Sequence, residues 1–371
     1  MPAISYTLTL NGNPLDAVVL GKLRKVECEE HAGMADLLRL TFALTQKDDG
    51  SGWLVLDDNV FQRLGKLTLS ITVGSGGAQD ILEAYVVEVT AEFANDPAGN
   101  ALSVVAFDPS VLMNLEEKAR AWTNMADSDI ASSIFGAYGF GTDVSATQPS
   151  RTENALTVVQ RGSDIQFLRQ LARRNGYECY VTLDPTSGAA TGHFHAPRYG
   201  ASPQGVLSVG MGRDSTIETL RITYDEARPA QTQTANIDLF SSGVQTAQVT
   251  SVSSPTLGRT STLPSDQPRK VLVNPLGLTD AGELQTYAQA VADRSAVAIR
   301  AEGELNAQAY QGVLRARGTV LVRGVGPSLS GTYYVERVLH TFEASSYKQG
   351  FTLRRNAVGV DGQETFAMES T

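Results

Sequence analysis

His193 and His195 stand two residues apart in a run that alternates like a strand, so both imidazoles face one side. Two imidazoles become a metal site when a third nitrogen, oxygen or sulfur donor joins them. The two cysteines, Cys28 and Cys179, are not nearby in sequence and no third ligand is apparent. The pair therefore reads as ordinary polar positions at a strand end before Pro197, and His340, on a predicted strand, reads as structural. Adjacent carboxylates occur at Glu29-Glu30, Asp48-Asp49, Asp57-Asp58 and Glu116-Glu117. A glycosidase needs two carboxyls facing each other across a cleft, whereas neighbours on a strand point to opposite faces. These pairs read as solvated charge. A phosphate loop fails at both candidates: Gly21-Lys22 and Gly65-Lys66 are each followed by Leu instead of Ser or Thr. Neither H-E-x-x-H nor G-x-S-x-G occurs. The expectation is a protein without catalytic, cofactor-binding or metal-binding residues, and not an enzyme.

The formal net charge is −10, and the longest basic cluster is Arg173-Arg174 with Arg169 one turn earlier. That cluster reads as a solvated helix face, and without a basic stripe stable nucleic-acid binding is not expected. Two distant cysteines make no disulfide framework, which fits folding in a reducing cytosol. No basic-then-apolar leader precedes the first strand pattern, so no signal peptide is expected. No window approaches 18 continuous apolar residues, so no spanning helix and no stable membrane association are expected.

The elements that must hold these residues are mostly strands. Ile4, Tyr6, Leu8 and Leu10 alternate before a turn at Asn11-Gly12-Asn13-Pro14; Leu38 to Leu44 and Leu67 to Val73 alternate again. Gly74-Ser75-Gly76-Gly77 predicts a turn into a strand over 81–93, and another strand runs over 102–107. Asp108-Pro109 predicts a capped short helix with Leu112 and Leu115 inward. A second helix starts near Asp127 or Ser128 with Ile130, Ile134 and Tyr138 on one face and Gly139 as its stop. A third starts at Ser163, where Ser163 and Gln166 make a capping-box pattern, and ends at Gly176. Its inner face is Ile165, Leu168 and Leu171 or Ala172. Residues 227–275, rich in Gln, Thr and Ser with repeated Pro, predict an extended polar arm with little core. A helix over about 279–299, with Leu284, Ala288, Val291 and Ala292 inward, leads into further strands.

The two β regions resemble each other. Tyr85, Val86, Val89 and Phe93 share their offsets with Tyr334, Val335, Val338 and Phe342. Gly74 precedes the first Tyr by 11 residues and Gly324 the second by 10, and after each Phe nine residues lead to the next strand. This spacing favours an internal duplication.

Two segments also resemble the phage late-control D family. The first is Ala106-Phe107-Asp108 through Leu115, then Asn124 to Gly139, then Arg161 to Ala172 with its Ser-Asp-x-x-Phe-Leu-x-x-Leu-Ala pattern. The second is Gly331-Thr332-Tyr333-Tyr334-Val335 through His340, then Ser345 to Arg355. The resemblance covers roughly two-thirds of the chain in matching order; the first 100 residues match in pattern only, and 227–275 has no motif to place. It implies a structural baseplate hub of a contractile phage tail or contractile injection system. Such a hub is a homotrimeric ring with pseudo-six-fold symmetry that joins the six-fold tail tube to a three-fold spike. The implied partners are the tube protein ring, a spike carried on a separate polypeptide and other baseplate proteins, with DNA or cargo only passing through the channel. The implied location is the virion or injection particle, assembled in the bacterial cytoplasm.

The expected fold is mixed α/β and β-dominated: two related antiparallel β-barrel, tube-like domains plus a small α/β domain. The boundaries are 1–118 for the first barrel, 119–204 for the α/β domain and 205–357 for the second barrel, with a polar arm and helix inserted at about 227–299. A polar tail at 358–371 is expected to be loosely held until a partner orders it, so that its deletion weakens spike or neighbouring baseplate association without unfolding the hub. The rivals are a particle-associated hydrolase of cell-wall or surface polysaccharide, and a carbohydrate-binding module whose platform would fall to Trp53 and Trp122.

Overall fold

The computed structural model describes residues 4–74, 77–148, 157–183, 188–237, 243–274, 280–343, 346–362 and 364–366. The first region contains β1 (Ile4–Leu10), β2 (Asn13–Pro14), the single-turn helix α1 (Ala17–Leu20), β3 (Leu23–His31), β4 (Leu37–Ala43), β5 (Lys66–Val73), β6 (Gln79–Glu92) and β7 (Ala101–Phe107). Alternation does the work: Leu38, Leu40 and Phe42 on β4, Leu67, Leu69 and Ile71 on β5, and Leu102, Val104 and Ala106 on β7 all lie in one core. Each such buried large aliphatic contributes about 1.5–3 kcal/mol. Asn11 (φ 52°) and Gly12 (φ 81°) carry the left-handed turn between β1 and β2. Gly74 (φ 59°) opens the β5–β6 turn, and Ser75 and Gly76 of that expected turn lie outside the described residues.

The middle region holds β8 (Glu117–Trp122), α2 (Asp127–Ala137), β9 (Gly141–Val144), β10 (Val158–Ser163), α3 (Asp164–Asn175), β11 (Glu178–Leu183) and β12 (Ala190–His195). Ile130, Ile134, Ile165, Leu168, Leu171 and Ala172 are buried in its core, on the helical spacing seen in the sequence. Gly176 (φ 73°) ends α3 in the left-handed conformation. Two local expectations change. The segment after Asp108 is a 3-10 helix, Pro109–Asn114, whose three-residue period turns Ser110 and Met113 inward and leaves Leu115 51% exposed. The Ser163 hydroxyl makes no cap; it donates to Asn114 Oδ1 at 2.6 Å, a tertiary partner that outcompetes the capping box.

The last region contains β13 (Pro203–Ser208), β14 (Ile217–Tyr224), β15 (Ala230–Ile237), β16 (Val244–Val249), β17 (Thr260–Ser261), β18 (Arg269–Leu272), α4 (Ala281–Ala296), β19 (Ile299–Leu305), the short helix α5 (Ala307–Tyr310), β20 (Thr319–Arg323), β21 (Gly331–Glu343), β22 (Ser346–Arg355) and β23 (Ala357–Val358). The expected arm is folded: β16-β15-β18 form a sheet whose inner face lies on α4. Thr232 is buried there because its hydroxyl donates to the Ala288 carbonyl at 2.8 Å. The helix expected over 279–299 spans Ala281–Ala296, capped by Asp280 through Gly282 and Glu283; Val291 is only half-buried, Ile299 belongs to β19, and Thr279 lies outside the described residues. Val358 pairs with Thr260, Arg355 donates to the Gly359 carbonyl at 2.7 Å, and Arg323 donates to the Phe366 carbonyl at 2.9 Å. The described part of 358–366 is therefore tied down by backbone acceptors, contrary to the loose tail expected.

The fold is mixed and β-dominated. Both β regions belong to one 13-stranded sheet, whose path runs β14-β19-β22-β21-β3-β4-β7-β6-β5-β1-β2 and is open at both ends. Two runs of four neighbours, β3-β4-β7-β6 and β14-β19-β22-β21, follow the same chain order, and their irregularities coincide. The ladder between β6 and β7 shifts between Val86 and Glu88, and that between β21 and β22 shifts between Val335 and Arg337. The β3–β4 ladder shifts between Leu23 and Lys25, and the β14–β19 ladder between Ile217 and Thr219. Tyr85 lies opposite Lys66 and Phe107; Tyr334 lies opposite Thr319 and Arg354.

Candidate functional site

The two β regions meet where β21 pairs with β3, from Arg337 opposite His31 to Glu343 opposite Lys25. Beneath this seam lies a set of buried charges. Arg317 donates from Nη1 to Asp36 Oδ2 at 2.9 Å and from Nη2 to Asp36 Oδ1 at 2.6 Å and the His31 carbonyl at 2.7 Å. Its guanidinium lies 4.2 Å from the centre of the Tyr180 ring, so one side chain touches both the first β region and the middle region. Arg315 donates to Glu30 at 2.7 Å, and the Ala316 N–H donates to the second Glu30 oxygen at 3.1 Å. The Asp36 N–H donates to Asp108 at 2.6 Å. Tyr334 and Arg354 both donate to Glu178, at 2.6 and 2.5 Å, which joins the last region to the middle one.

Electrostatics in this seam follow burial first. Burial opposes charge on Arg317, but Asp36 and Glu30 outweigh it and hold the guanidinium above its ordinary range. Burial pushes the Asp36 carboxyl up to about 6, against the pull of Arg317. Burial would also raise Glu30, and Arg315 reverses it to below the ordinary range. His340, fully buried beside Tyr347, is pushed down to about 4 by desolvation.

Glu29 and Glu30 do point to opposite faces, but neither is merely solvated: Glu29 takes a bidentate pair from Arg337 at 2.7 Å and Glu30 is buried. Asp48, Asp49, Asp57, Asp58, Glu116 and Glu117 are exposed. The basic cluster on α3 is a solvated face only at Arg173, which is exposed. Arg174 grips Asp127, and Arg169 is half-buried with Nε and Nη2 unpartnered. A cleft of about 750 Å³ between α3, α4 and the last β region is lined by Arg169, Arg173, Arg294, Glu178, Asp293 and Glu336, among others. Each carboxylate there is engaged: Glu178 as above, Asp293 with Ser253 and Gln289, and Glu336 with Arg354 at 3.6 Å. That arrangement lacks the free, facing acid and base that glycoside hydrolysis uses.

His193 and His195 do meet a third donor. Parallel pairing of β12 with β9 sets Asp143 opposite His193, and their donor atoms with His195 lie within 4.8 Å of one another. Asp143 accepts from His193 Nδ1 at 2.7 Å and from Arg198, and its oxygen is 3.6 Å from His195 Nε2. The Ala196 carbonyl can only accept, so His195 carries a proton on Nδ1 (2.8 Å), and its Nε2 pairs with the Tyr180 hydroxyl at 3.1 Å. Thr182 satisfies His193 Nε2 at 2.7 Å. The three ligands fit a divalent metal, but every ring nitrogen has a protein partner and Arg198 balances the carboxylate, so the cluster is complete as a hydrogen-bonded network. No sequence motif signals Asp143; only the strand pairing reveals it.

The repeat positions sit in unequal surroundings. Tyr334, Val335 and Val338 are 0% exposed and Phe342 is 6% exposed. Val86 is buried and Tyr85 half-buried, but Val89 is 39% and Phe93 57% exposed, with Phe93 touching Trp53 at 5.1 Å between ring centres. Trp122 is 3% exposed and donates to Gln160, so the two tryptophans form no aromatic platform.

The family model described as "Alg8 N-terminal domain" (Alg8_N) matches residues 64–344. No curated protein matches the sequence. Solved structures do match. The 43 kDa tail protein of prophage MuSo2 from Shewanella oneidensis is 14% identical, with a TM-score of 0.67 over 96% of this chain and 100% of that one. The tail protein from Neisseria meningitidis MC58 is 11% identical, with a TM-score of 0.66 over 95% and 97%. The E. coli c3393 protein, a type VI secretion component, is 12% identical, with a TM-score of 0.57 over 97% and 79%. The fold is that of phage tail proteins.

Proposed function

The chain belongs to the family described as the Alg8 N-terminal domain, and from its tail-protein fold we propose that it is a structural baseplate hub of a contractile phage tail or injection system. The finer reading is a late-control D hub: a homotrimeric ring with pseudo-six-fold symmetry between a six-fold tube ring and a three-fold spike. One observation carries it. Two four-strand units follow the same chain order with two ladder shifts at matching places, and irregularities of this kind are features that copies retain. Three chains with two alike units each present six similar surfaces to a six-fold partner. On this reading the unit boundaries lie near 1–118 and 205–357, and Tyr85, Val86, Val89 and Phe93 correspond to Tyr334, Val335, Val338 and Phe342.

The role is architectural and not catalytic. The engaged carboxylates of the large cleft and the satisfied histidine cluster favour it over the hydrolase, and the covered Trp122 favours it over a carbohydrate-binding module. Among the described residues no helix is long and apolar enough to cross a membrane. The particle is the place of work, with the tube ring, a spike and other baseplate proteins as partners and DNA or cargo in transit through the channel. Light scattering of the purified chain, alone and with a candidate spike, tests the reading. A mass of three chains is expected; a mass that stays at one or two chains even with the spike present overturns it.

A further inference from the structure

The chain carries a net charge of −10, yet its large cleft has the opposite sign. That cleft of about 750 Å³ is lined by six arginines and three carboxylates. Each carboxylate is already engaged, as described above. The arginines are not all matched. Arg354 holds Glu178, Arg300 pairs with Glu302 at 2.9 Å, and Arg294 donates to the Arg173 carbonyl at 2.5 Å. Arg228 reaches the Arg294 carbonyl only at 3.5 Å. Arg169 has no acceptor for Nε or Nη2. Arg173, one turn further along α3, is exposed and has no ion pair among the described residues. We propose that this cleft binds a small organic anion carrying two or more phosphate or carboxylate groups.

Arg169 carries the inference. Its Nε and Nη2 atoms are out of water and without a partner. The same two donors on Arg337 take both oxygens of Glu29 at 2.7 Å. This side-on fork matches a carboxylate or a phosphate, and a guanidinium cannot shed its charge to escape burial. The side chain is half-buried in the cleft wall, so binding would turn the guanidinium to face the incoming group. Arginines in the last turns of α3 and α4 also complement the helix dipoles. That duty accounts for Arg173 and Arg294, but Arg169 sits in the middle of α3.

Helix packing fixes the crowding of cations. Gly176 ends α3 against α4, where an added Cβ would lie 3.2 Å from the Ala290 Cβ. Burial holds the Arg294 guanidinium below its ordinary range, and Arg173 adds to that effect against the pull of Tyr287 and Asp293. An anion between the two arginines relieves their repulsion. The volume sets the size of the ligand, because cavities of roughly 300–1,000 Å³ hold small molecules. Pro197, Tyr177 and Tyr199 also line the cleft and suit an organic body behind the charged groups. Every lining residue comes from one chain, so the proposal goes beyond the ring reading and does not rest on it.

The test is isothermal titration calorimetry of the full chain with inorganic pyrophosphate and, separately, with citrate. Saturable binding is expected for at least one of them; pyrophosphate alone marks a phosphate ligand, and citrate alone a polycarboxylate. Arg169→Gln and Arg173→Gln are each expected to weaken binding about tenfold or more, the scale of a charge-assisted hydrogen bond. Arg169→Lys keeps the charge but loses the fork, so it should also bind more weakly than the wild type. Arg39→Gln, exposed on β4 and outside the cleft, should change nothing. Thermal melts without ligand check that Arg169→Gln is folded, and the exposed Arg173 gives a variant that spares the interior. The bound anion should raise the melting temperature of the wild type and not that of Arg169→Gln. No saturable heat with either anion overturns the proposal, as does binding that both cleft variants leave unchanged or that Arg39→Gln weakens equally. Binding of a poly-glutamate peptide with neither small anion bound also overturns it, and assigns the cleft to an acidic segment of a partner.

Discussion

Replacing Arg317 with Met removes the cation that the seam is built on. Its side chain is 7% exposed, it chelates Asp36, and it covers the Tyr180 ring. The Met stem keeps most of the packing, so the loss is electrostatic. Breaking a buried pair by removing one partner costs about 3–5 kcal/mol, because the other charge stays buried. The lost ring contact adds about 0.5–2 kcal/mol. Asp36 is left with Asp108 nearby as a further unfavourable charge. Its carboxyl must then rise beyond its present value of about 6. An acid whose pKa is raised on folding contributes full stability below its unfolded pKa and loses it as pH rises through the folded one. The deficit of Arg317→Met is therefore expected to be largest at neutral pH and to shrink towards pH 4. Urea unfolding followed by tryptophan fluorescence measures it, and adding Asp36→Asn should recover most of the loss. A deficit below about 1 kcal/mol, or one indifferent to both pH and Asp36→Asn, would refute the reasoning.

Four further outcomes are expected. His193 and His340 are pushed to about 4 by burial. Their stabilising share is complete above pH 6.5 and lost as pH falls towards 4, about 3 kcal/mol each, and His340→Gln should flatten that slope in thermal melts. Gly192→Ala places a Cβ 2.2 Å from Phe135 Cδ1 and should cost about 1–3 kcal/mol in chemical denaturation. Deleting 358–371 removes the Gly359 acceptor of Arg355 and the Thr260 partner, so a lowered melting temperature is expected where the sequence alone suggested a tail that serves partner association and not the hub's own stability. Purified protein should release no product from peptidoglycan or polysaccharide; turnover abolished by changing one Asp, Glu or His would favour the hydrolase.

Strands and helices were legible where burial follows period. Leu38, Leu40 and Phe42, or Ile130 and Ile134, announce their elements because apolar side chains mark the inner face. What stayed hidden depends on partners far along the chain. Thr232 and Thr234 form the inner face of β15 without an apolar signal, so their strand reads as a polar arm. The Ser163 hydroxyl has two possible partners, and only the fold brings Asn114, 49 residues away, within reach. Glu29-Glu30 reads as surface charge until Arg337 and Arg315 arrive from more than 280 residues on. Asp143 joins His193 and His195 by a parallel pairing that no spacing encodes. The Tyr, Val and Phe spacing was visible, but the matching ladder shifts, on which the proposed duplication rests, belong to the backbone.

A cryo-electron microscopy reconstruction of the assembled particle's baseplate tests the central claim most directly. The account expects three chains around the axis, with the units β3-β4-β7-β6 and β14-β19-β22-β21 superposing on each other and alternating six times around one channel. A ring with any other number of chains, or units that neither superpose nor alternate, would contradict it.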